Sequence, residues 1–243
     1  MTNEPIHYDC VYPQTYHCVL THKESPCLGM FKDYANCIFI SDKQIPGTID
    51  ISSPWDSAKF GELPAWSWIA QNFRPQDYVS LNHYRRKLSL GMGNVVPEPI
   101  KFSGNLADQL AYYHSPVLAD AIMKTLTPVE QSIFTSSNIL YAYNIACLNV
   151  GLVQDLYLPY ITNKIMLLES VLGRNYVPDA SFFIPREGKD IRPWYQNRVY
   201  AFALERYSTL FWLQNSQLIN TVGRINLLEE RTTNLITYVI NKS

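Results

Sequence analysis

The sequence lacks most of the short signatures that would assign a chemistry outright. It has no G-x-x-x-x-G-K-[ST], so it is no P-loop NTPase, and no G-x-G-x-x-G, so it carries no dinucleotide fingerprint. A G-x-S-x-G nucleophile elbow is missing too. The five cysteines (10, 18, 27, 37 and 147) are odd in number and include no C-x-x-C pair. That excludes a disulfide framework and a paired-spacing zinc site as first readings, and points to a reducing compartment. The five histidines lack metal-ligand spacing, and His114 reads as a helix-surface residue. No run of about 18 apolar residues occurs, so nothing in the sequence reads as a membrane span. The polar first ten residues do not read as a signal peptide. The expected location is the cytoplasm, with peripheral contact at the inner membrane compatible with it. Net charge is −1 and no long Lys/Arg run appears, which argues against nucleic acid as a partner.

What is present reads as globular. Apolar residues make up 47% and charged residues 17% of 243, enough for one α/β domain with a sizeable core. Tyrosine is abundant at 17 copies, a residue suited to the walls of polar-ligand clefts. Two short β-rich runs, 17–20 and 37–40, end in Thr21-His22-Lys23 and Ser41-Asp42-Lys43. Residues 56–73 have helical spacing, with Asp56 or Ser57 as cap and a kink or restart at Pro64. The next strand, 77–81, runs into Asn82-His83-Tyr84-Arg85-Arg86. The spacing predicts helices over 105–135, with a start at Thr127-Pro128, then β structure over 139–150 and a long helix over 152–172 stopped by Gly173. An apolar helix over 195–214 and a more polar one over 225–240 follow.

Alternating strands and helices predict a mostly parallel sheet covered on both faces. Ligands of such sheets bind at the carboxyl ends of the strands. Three strand ends therefore converge on one rim, and all three carry polar or basic residues. Lys23, Lys43, Arg85, Arg86 and Lys87 could neutralise a pyrophosphate, and His83 could donate to a phosphate or act as an acid near neutral pH. No Asp-x-Asp occurs anywhere, so a metal bridge to a diphosphate has no sequence signature. The expectation is that no cofactor is required, with Mg²⁺ or Mn²⁺ held by scattered groups as the other route.

Three blocks then resemble a known family. Glu62-Leu63 with Trp66, Trp68 and Asn72 is one, Tyr78 to Arg86 the second, and Arg198, Phe202 and Glu205-Arg206 the third. Together they are similar to bacterial polysaccharide-biosynthesis glycosyltransferase-like proteins, long classed as a domain of unknown function and marked by a His-Tyr-Arg-Arg motif. Thr21-His22-Lys23, Ser41-Asp42 and Tyr143-Asn144 also fit. The chain departs from the pattern at Pro64, Ala201, Tyr207 and Ile145-Ala146, where that family has Thr, Gly, Leu and Met-Phe. The resemblance spans about residues 15–215 and implies a GT-A-like, Rossmann-like α/β fold with a mixed, mostly parallel sheet, helices on both faces and a helical C-terminal part. It implies a glycosyltransferase domain over 1–215 and a helical extension over 216–243. The implied reaction moves a sugar from a nucleotide-diphosphate sugar, a UDP-sugar favoured, to a hydroxyl of a glycan or lipid-linked glycan in capsule, exopolysaccharide or O-antigen synthesis. Expected catalytic residues are Glu62, His83, Arg86 and Glu205, the last also readable as an ion-pair partner of Arg198 or Arg206. Expected donor-binding residues are Thr21, His22, Lys23, Ser41, Asp42, Tyr84, Arg85, Asn144, Arg198 and Arg206. The competing readings are a non-catalytic nucleotide- or glycan-binding module and a phage transferase that decorates DNA bases.

Overall fold

A computed structural model of the chain describes residues 12–23, 26–31, 34–51, 55, 57–89, 91, 93–173 and 176–228. Its centre is a sheet of nine strands among the described residues, ordered β3-β2-β1-β4-β9-β6-β10. These are β1 (Thr15–Leu20), β2 (Cys37–Ser41), β3 (Ile49–Asp50), β4 (Tyr78–His83), β6 (Val95–Pro97), β9 (Ala146–Asn149) and β10 (Thr221–Gly223). β5 (Arg86–Leu88) folds back on the end of β4 and pairs with β11 (Ile225–Leu227). A separate ladder joins β7 (Ile100–Lys101) to β8 (Ile139–Leu140). β1 is parallel to β2 and β4, with Leu20 level with Ile40 and His83, so the carboxyl ends of these strands share one edge. β9 runs antiparallel between β4 and β6. β1 is central, and Cys18, Val19 and Leu20 are fully buried, as expected of a strand covered on both faces.

The α-helices are α1 (Ser57–Phe60), α2 (Leu63–Asn72), α3 (Leu106–Tyr113), α4 (Pro116–Met123), α5 (Pro128–Ser136), α6 (Val150–Leu152), α7 (Leu158–Leu172), α8 (Pro193–Gln196) and α9 (Val199–Gln214). Their apolar side chains share one core with Cys18 and Leu20 of β1. On the other face Val19 packs with Phe31 of a 3-10 helix (Pro26–Phe31) and with Tyr84. The restart expected at Pro64 is present: α1 ends at Phe60, Gly61 takes a left-handed φ of 61°, and α2 begins with Pro64 in its first turn. Asn105, Ser115 and Thr127 cap α3, α4 and α5 by accepting from backbone N–H groups, and Thr127 forms a capping box with Glu130. α6 and α7 are joined by a π-helical turn (Val153–Tyr157) just before Pro159, a residue with no N–H to give. Gly173 ends α7 with φ 89°. α9 is buried nearly all round, because it crosses the middle of the helical layer.

One expectation is corrected. The C-terminal stretch read as helical from 225 begins as a strand: Ile225–Leu227 pairs with Arg86–Leu88, and Thr221–Gly223 joins the sheet beside β6. After a 3-10 turn at Ser216–Leu218, residues 221–227 thus extend the sheet, because β6 and β5 offer unpaired edges that outweigh helical propensity. Residues 229–243 lie outside the described residues, as does Asp56, the alternative cap of α1. Among the described residues no helix is long and apolar enough to cross a membrane.

A buried ion pair knits α5 to α7. Glu130 Oε2 receives Lys164 Nζ at 2.6 Å and Thr127 N at 2.7 Å, while Oε1 accepts from Tyr160 O–H at 2.6 Å. Lys164 also donates to Thr125 O at 2.9 Å, so each charge of the pair has hydrogen bonds beyond the pair itself. Burial would raise the Glu130 carboxyl, but the hydrogen bonds from Lys164 and Tyr160 outweigh it and hold it down at about 2. A depressed carboxylate stabilises the fold above its unfolded value, near 4.5, and that contribution is lost as pH falls toward 2. Lys164→Met leaves the carboxylate buried and uncompensated and is expected to cost about 3–5 kcal/mol in urea titration. Glu130→Gln should flatten the loss of stability between pH 4.5 and 2 that the unaltered chain shows.

Candidate functional site

The carboxyl edge of β1, β2 and β4 does gather the expected strand ends, but they divide into two groups. The first is a polar knot at β1 and β2. His22 Nδ1 lies 3.4 Å from Asp42 Oδ1 and 3.2 Å from Ser57 Oγ, and Ser57 N donates to Asp42 Oδ2 at 3.1 Å. Burial would raise the Asp42 carboxyl, but the contacts from His22 and Ser57 outweigh it and hold it well below the usual carboxylate range. Asp42 is therefore ionised at any ordinary pH and fixes the amino end of α1 on the rim. Thr21 and Ser41 are turned inward. Thr21 O–H donates to Lys23 O at 2.5 Å, and Ser41 Oγ accepts from Lys43 N at 3.0 Å. Their hydroxyls close the turns after the two strands.

The second group is a pocket of about 70 Å³ lined by Glu62, Arg86, Asn144, Arg198 and Glu205, with Tyr143 and Phe202 among its walls. Each side chain arrives from a different element for a local reason. Glu62 stands at the start of α2, and the left-handed Gly61 before it packs against Ala201 of α9, where an added Cβ would sit 3.1 Å from Ala201 Cβ. That close approach brings Glu62 beside Glu205 and Arg198. Arg86 begins β5, because Tyr84 and Arg85 form the two-residue turn that pairs His83 with Arg86. Arg198 sits at the amino end of α9. Asn144 lies in the turn between β8 and β9, where Tyr143 and Asn144 adopt φ of 75° and 51°.

Glu62 is 6% exposed and accepts a hydrogen bond from Asn144 Nδ2 at 3.2 Å. Burial raises its carboxyl above the ordinary range, Glu205 adds to this, and Arg198, Asn144 and Arg86 pull it back only in part. Arg86 stacks its guanidinium on Tyr143, 4.2 Å from the ring centroid, and its buried Nε has no hydrogen-bond partner among the described residues. A carboxyl with raised proton affinity thus faces cationic forks in a small, half-closed space. That arrangement can take up a proton and hold an oxyanion.

Several expected residues take other positions. His83 is buried, and burial, reinforced by Arg86, pushes its imidazole down to about 2. That favours the neutral imidazole, the form suited to the expected donor role rather than the acid role; its Nδ1 accepts from Arg85 N at 3.4 Å. Glu205 is the anchor of an ion pair, as its alternative reading held. Arg206 Nη1 donates to Oε2 at 3.1 Å and Tyr143 N to Oε1 at 3.0 Å. Arg206 stands behind it, 1% exposed, with its other nitrogen Nη2 on Gln109 Oε1. Tyr84 belongs to the small core on the opposite face, with Lys23 Nζ and Arg85 Cζ at 5.7 and 5.1 Å from its ring centroid. Arg85 is exposed and does not line the pocket. His114 is no surface residue: it is 4% exposed, stacked on Phe202 at 3.7 Å and bonded to Gln196 Oε1 at 3.2 Å.

Sequence reasoning did not find Tyr143 or Tyr195 as pocket walls, nor the bond from Ser57 to Asp42. A wall tyrosine among 17 has no distinguishing pattern, and Ser57 was readable only as a helix cap. Among the described residues no three His, Cys, Asp or Glu side chains converge, and guanidinium groups face Glu62.

No protein-family model matches the chain, and no curated protein matches it in sequence. Among solved structures, the apo structure of the bifunctional glycosyltransferase WbbM is similar, with a TM-score of 0.63 and 15% identity. The match covers 93% of this chain and 48% of that one, so the chain spans about half the length of WbbM. Together with the β3-β2-β1-β4 parallel order and the antiparallel β9, this likeness gives the chain a glycosyltransferase-like α/β fold of the GT-A kind.

Proposed function

We propose that the chain is a glycosyltransferase that moves a sugar from a nucleoside-diphosphate sugar to a hydroxyl of a glycan acceptor. The observation that carries this reading is the buried Glu62 carboxyl facing Arg86 and Arg198 at the carboxyl end of β4. The likeness to WbbM supports it at the level of fold. Membership of the His-Tyr-Arg-Arg family, a UDP-sugar donor and a role in surface polysaccharide synthesis belong to the same proposal and rest on the motif at His83 to Arg86.

In this reaction the acceptor oxygen attacks the anomeric carbon and its proton passes to the Glu62 carboxylate. The bond from that carbon to the phosphate oxygen breaks, and the electron pair leaves with the nucleoside diphosphate. Arg86 and Arg198, which both line the pocket, stabilise the developing phosphate charge. Lys23 and Arg85, expected at the diphosphate, are assigned a smaller part, since both lie over the Tyr84 ring. The His22–Asp42–Ser57 knot, at the ends of β1 and β2 beside β4, is assigned to the nucleoside end of the donor.

Glu62→Gln keeps the shape and the Asn144 contact but cannot take a proton. It should lower kcat by about 10²–10⁴ with little change in melting temperature, read as nucleoside diphosphate released in the presence of acceptor. Arg86→Ala should lower turnover by about 10²–10³. Full transfer activity in either purified variant would falsify the assignment. Because the Glu62 carboxyl is raised and works as a base when ionised, kcat/KM should rise with pH through its folded value. Arg198 lowers that value, so Arg198→Met should reduce kcat/KM and move its acid limb to higher pH; a limb that stays in place removes Glu62 from the base role.

A further inference from the structure

Beside the Glu62 pocket lies a second one of about 210 Å³. The two share Tyr143, Tyr195 and Glu205 as walls. None of the second pocket's lining comes from the ends of β1, β2 or β4, where the phosphate-binding chemistry collects. Its lining comes from α3, β7, β8, the β8–β9 turn, α8 with the loop before it, and α9.

The lining combines rings with unused hydrogen-bonding groups. Tyr113, Tyr143 and Tyr195 supply three phenolic side chains, and no hydroxyl among them carries a hydrogen bond to a described residue. Arg206 is 1% exposed and its buried Nε has no partner among the described residues. Its Nη2 is spent on Gln109 Oε1, which leaves the Gln109 amide N–H groups without a partner there. Donors and aromatic rings in one small hollow suit a ligand with an apolar ring face and a rim of hydroxyls. The volume is below that of sites for drug-sized ligands, roughly 300–1,000 Å³, so it suits one sugar ring and excludes a whole nucleotide sugar.

We propose that this pocket receives the terminal sugar ring of the acceptor glycan and presents its hydroxyl through the shared Tyr143–Glu205 wall toward Glu62. Tyr113 packs on the ring, and the Gln109 amide donates to its hydroxyls. The direction of transfer rests on the transferase reading above; the class of ligand does not.

The test uses saturation-transfer NMR on the purified chain with a panel of methyl hexopyranosides and pentofuranosides. At least one glycoside should take up saturation, and Tyr113→Ala and Gln109→Ala should each raise its Kd about tenfold. No uptake by any glycoside, or a Kd unmoved in both variants, overturns the proposal. Tyr113 is partly exposed with no side-chain hydrogen bond to a described residue, so Tyr113→Ala keeps the test open if Gln109→Ala fails to fold. In the transfer assay Tyr113→Ala should raise the acceptor KM about tenfold while the donor KM moves less than about threefold. A rise in the donor KM instead hands the pocket to the donor and overturns the assignment. A chain that binds a glycoside yet releases no nucleoside diphosphate from any sugar nucleotide refutes the transferase reading and leaves the sugar pocket standing.

Discussion

Three side chains on one face of α9 hold the turn between β8 and β9, and the site depends on that attachment. Glu205, Ser208 and Thr209 are spaced at i, i+3 and i+4, so they stand together on the helix surface. Thr209 Oγ1 accepts from Tyr141 N at 3.0 Å, Glu205 from Tyr143 N at 3.0 Å, and Ser208 O–H donates to Asn144 Oδ1 at 3.0 Å. Trp66 of α2 adds an indole N–H to Asn144 O at 3.0 Å. These bonds hold Tyr143 and Asn144 at positive φ, a conformation that costs on the order of 1–3 kcal/mol per non-glycine residue and persists only where the surroundings over-determine it. The strained turn then does two things at once. It aims the Asn144 amide at Glu62 and sets the Tyr143 ring under Arg86.

The same attachment explains how two carboxyls a short distance apart come to differ. Glu205 faces Arg206 and a backbone N–H, so its charge is matched inside the scaffold. Glu62 receives one amide hydrogen bond and is otherwise enclosed, so burial dominates and its proton is held more tightly. Glu205 is thus tied into an ion pair of the scaffold, while Glu62 is a buried carboxyl whose proton affinity is raised. Glu205 adds to the raising of Glu62, so the structural pair also tunes its neighbour.

The fold was legible where periodicity and turn chemistry agree. β1, β2 and β4 were readable because apolar runs end abruptly in polar residues, and the α1–α2 break because Pro64 cannot continue a helix. Thr127 with Pro128 and Glu130 marked the start of α5 by a capping box that depends on three residues alone. The C-terminal strands were not legible, since a three-residue strand such as Ile225–Leu227 owes its form to the edge it joins. In the site, Glu62, Arg86, Asn144, Arg198 and Glu205 were named in advance and share one pocket. For His83 the motif left a phosphate donor and an acid both open, and its burial between sheet and hairpin, which favours the neutral form, is a tertiary fact that a motif does not carry. Tyr143 and Tyr195 escaped for the converse reason, being common residues made special by a turn and by helix packing.

The electrostatic balance of the pocket ties these points to the proposed chemistry. Arg206 neutralises Glu205, so the unmatched groups are Arg86 and Arg198 against the single carboxyl of Glu62. The pocket thus stays cationic even when Glu62 ionises, which in the proposed reaction suits a dianionic diphosphate. A bound diphosphate would draw the two guanidiniums away from Glu62 and add negative charge beside it, and both changes raise the carboxyl's affinity for a proton. In the proposed reaction Glu62 would therefore become a stronger base when the donor is in place, the moment at which an acceptor proton has to be removed. A cationic rim and a buried carboxyl are then one device: the arginines that hold the leaving group are the same charges that keep the base weak until that group arrives.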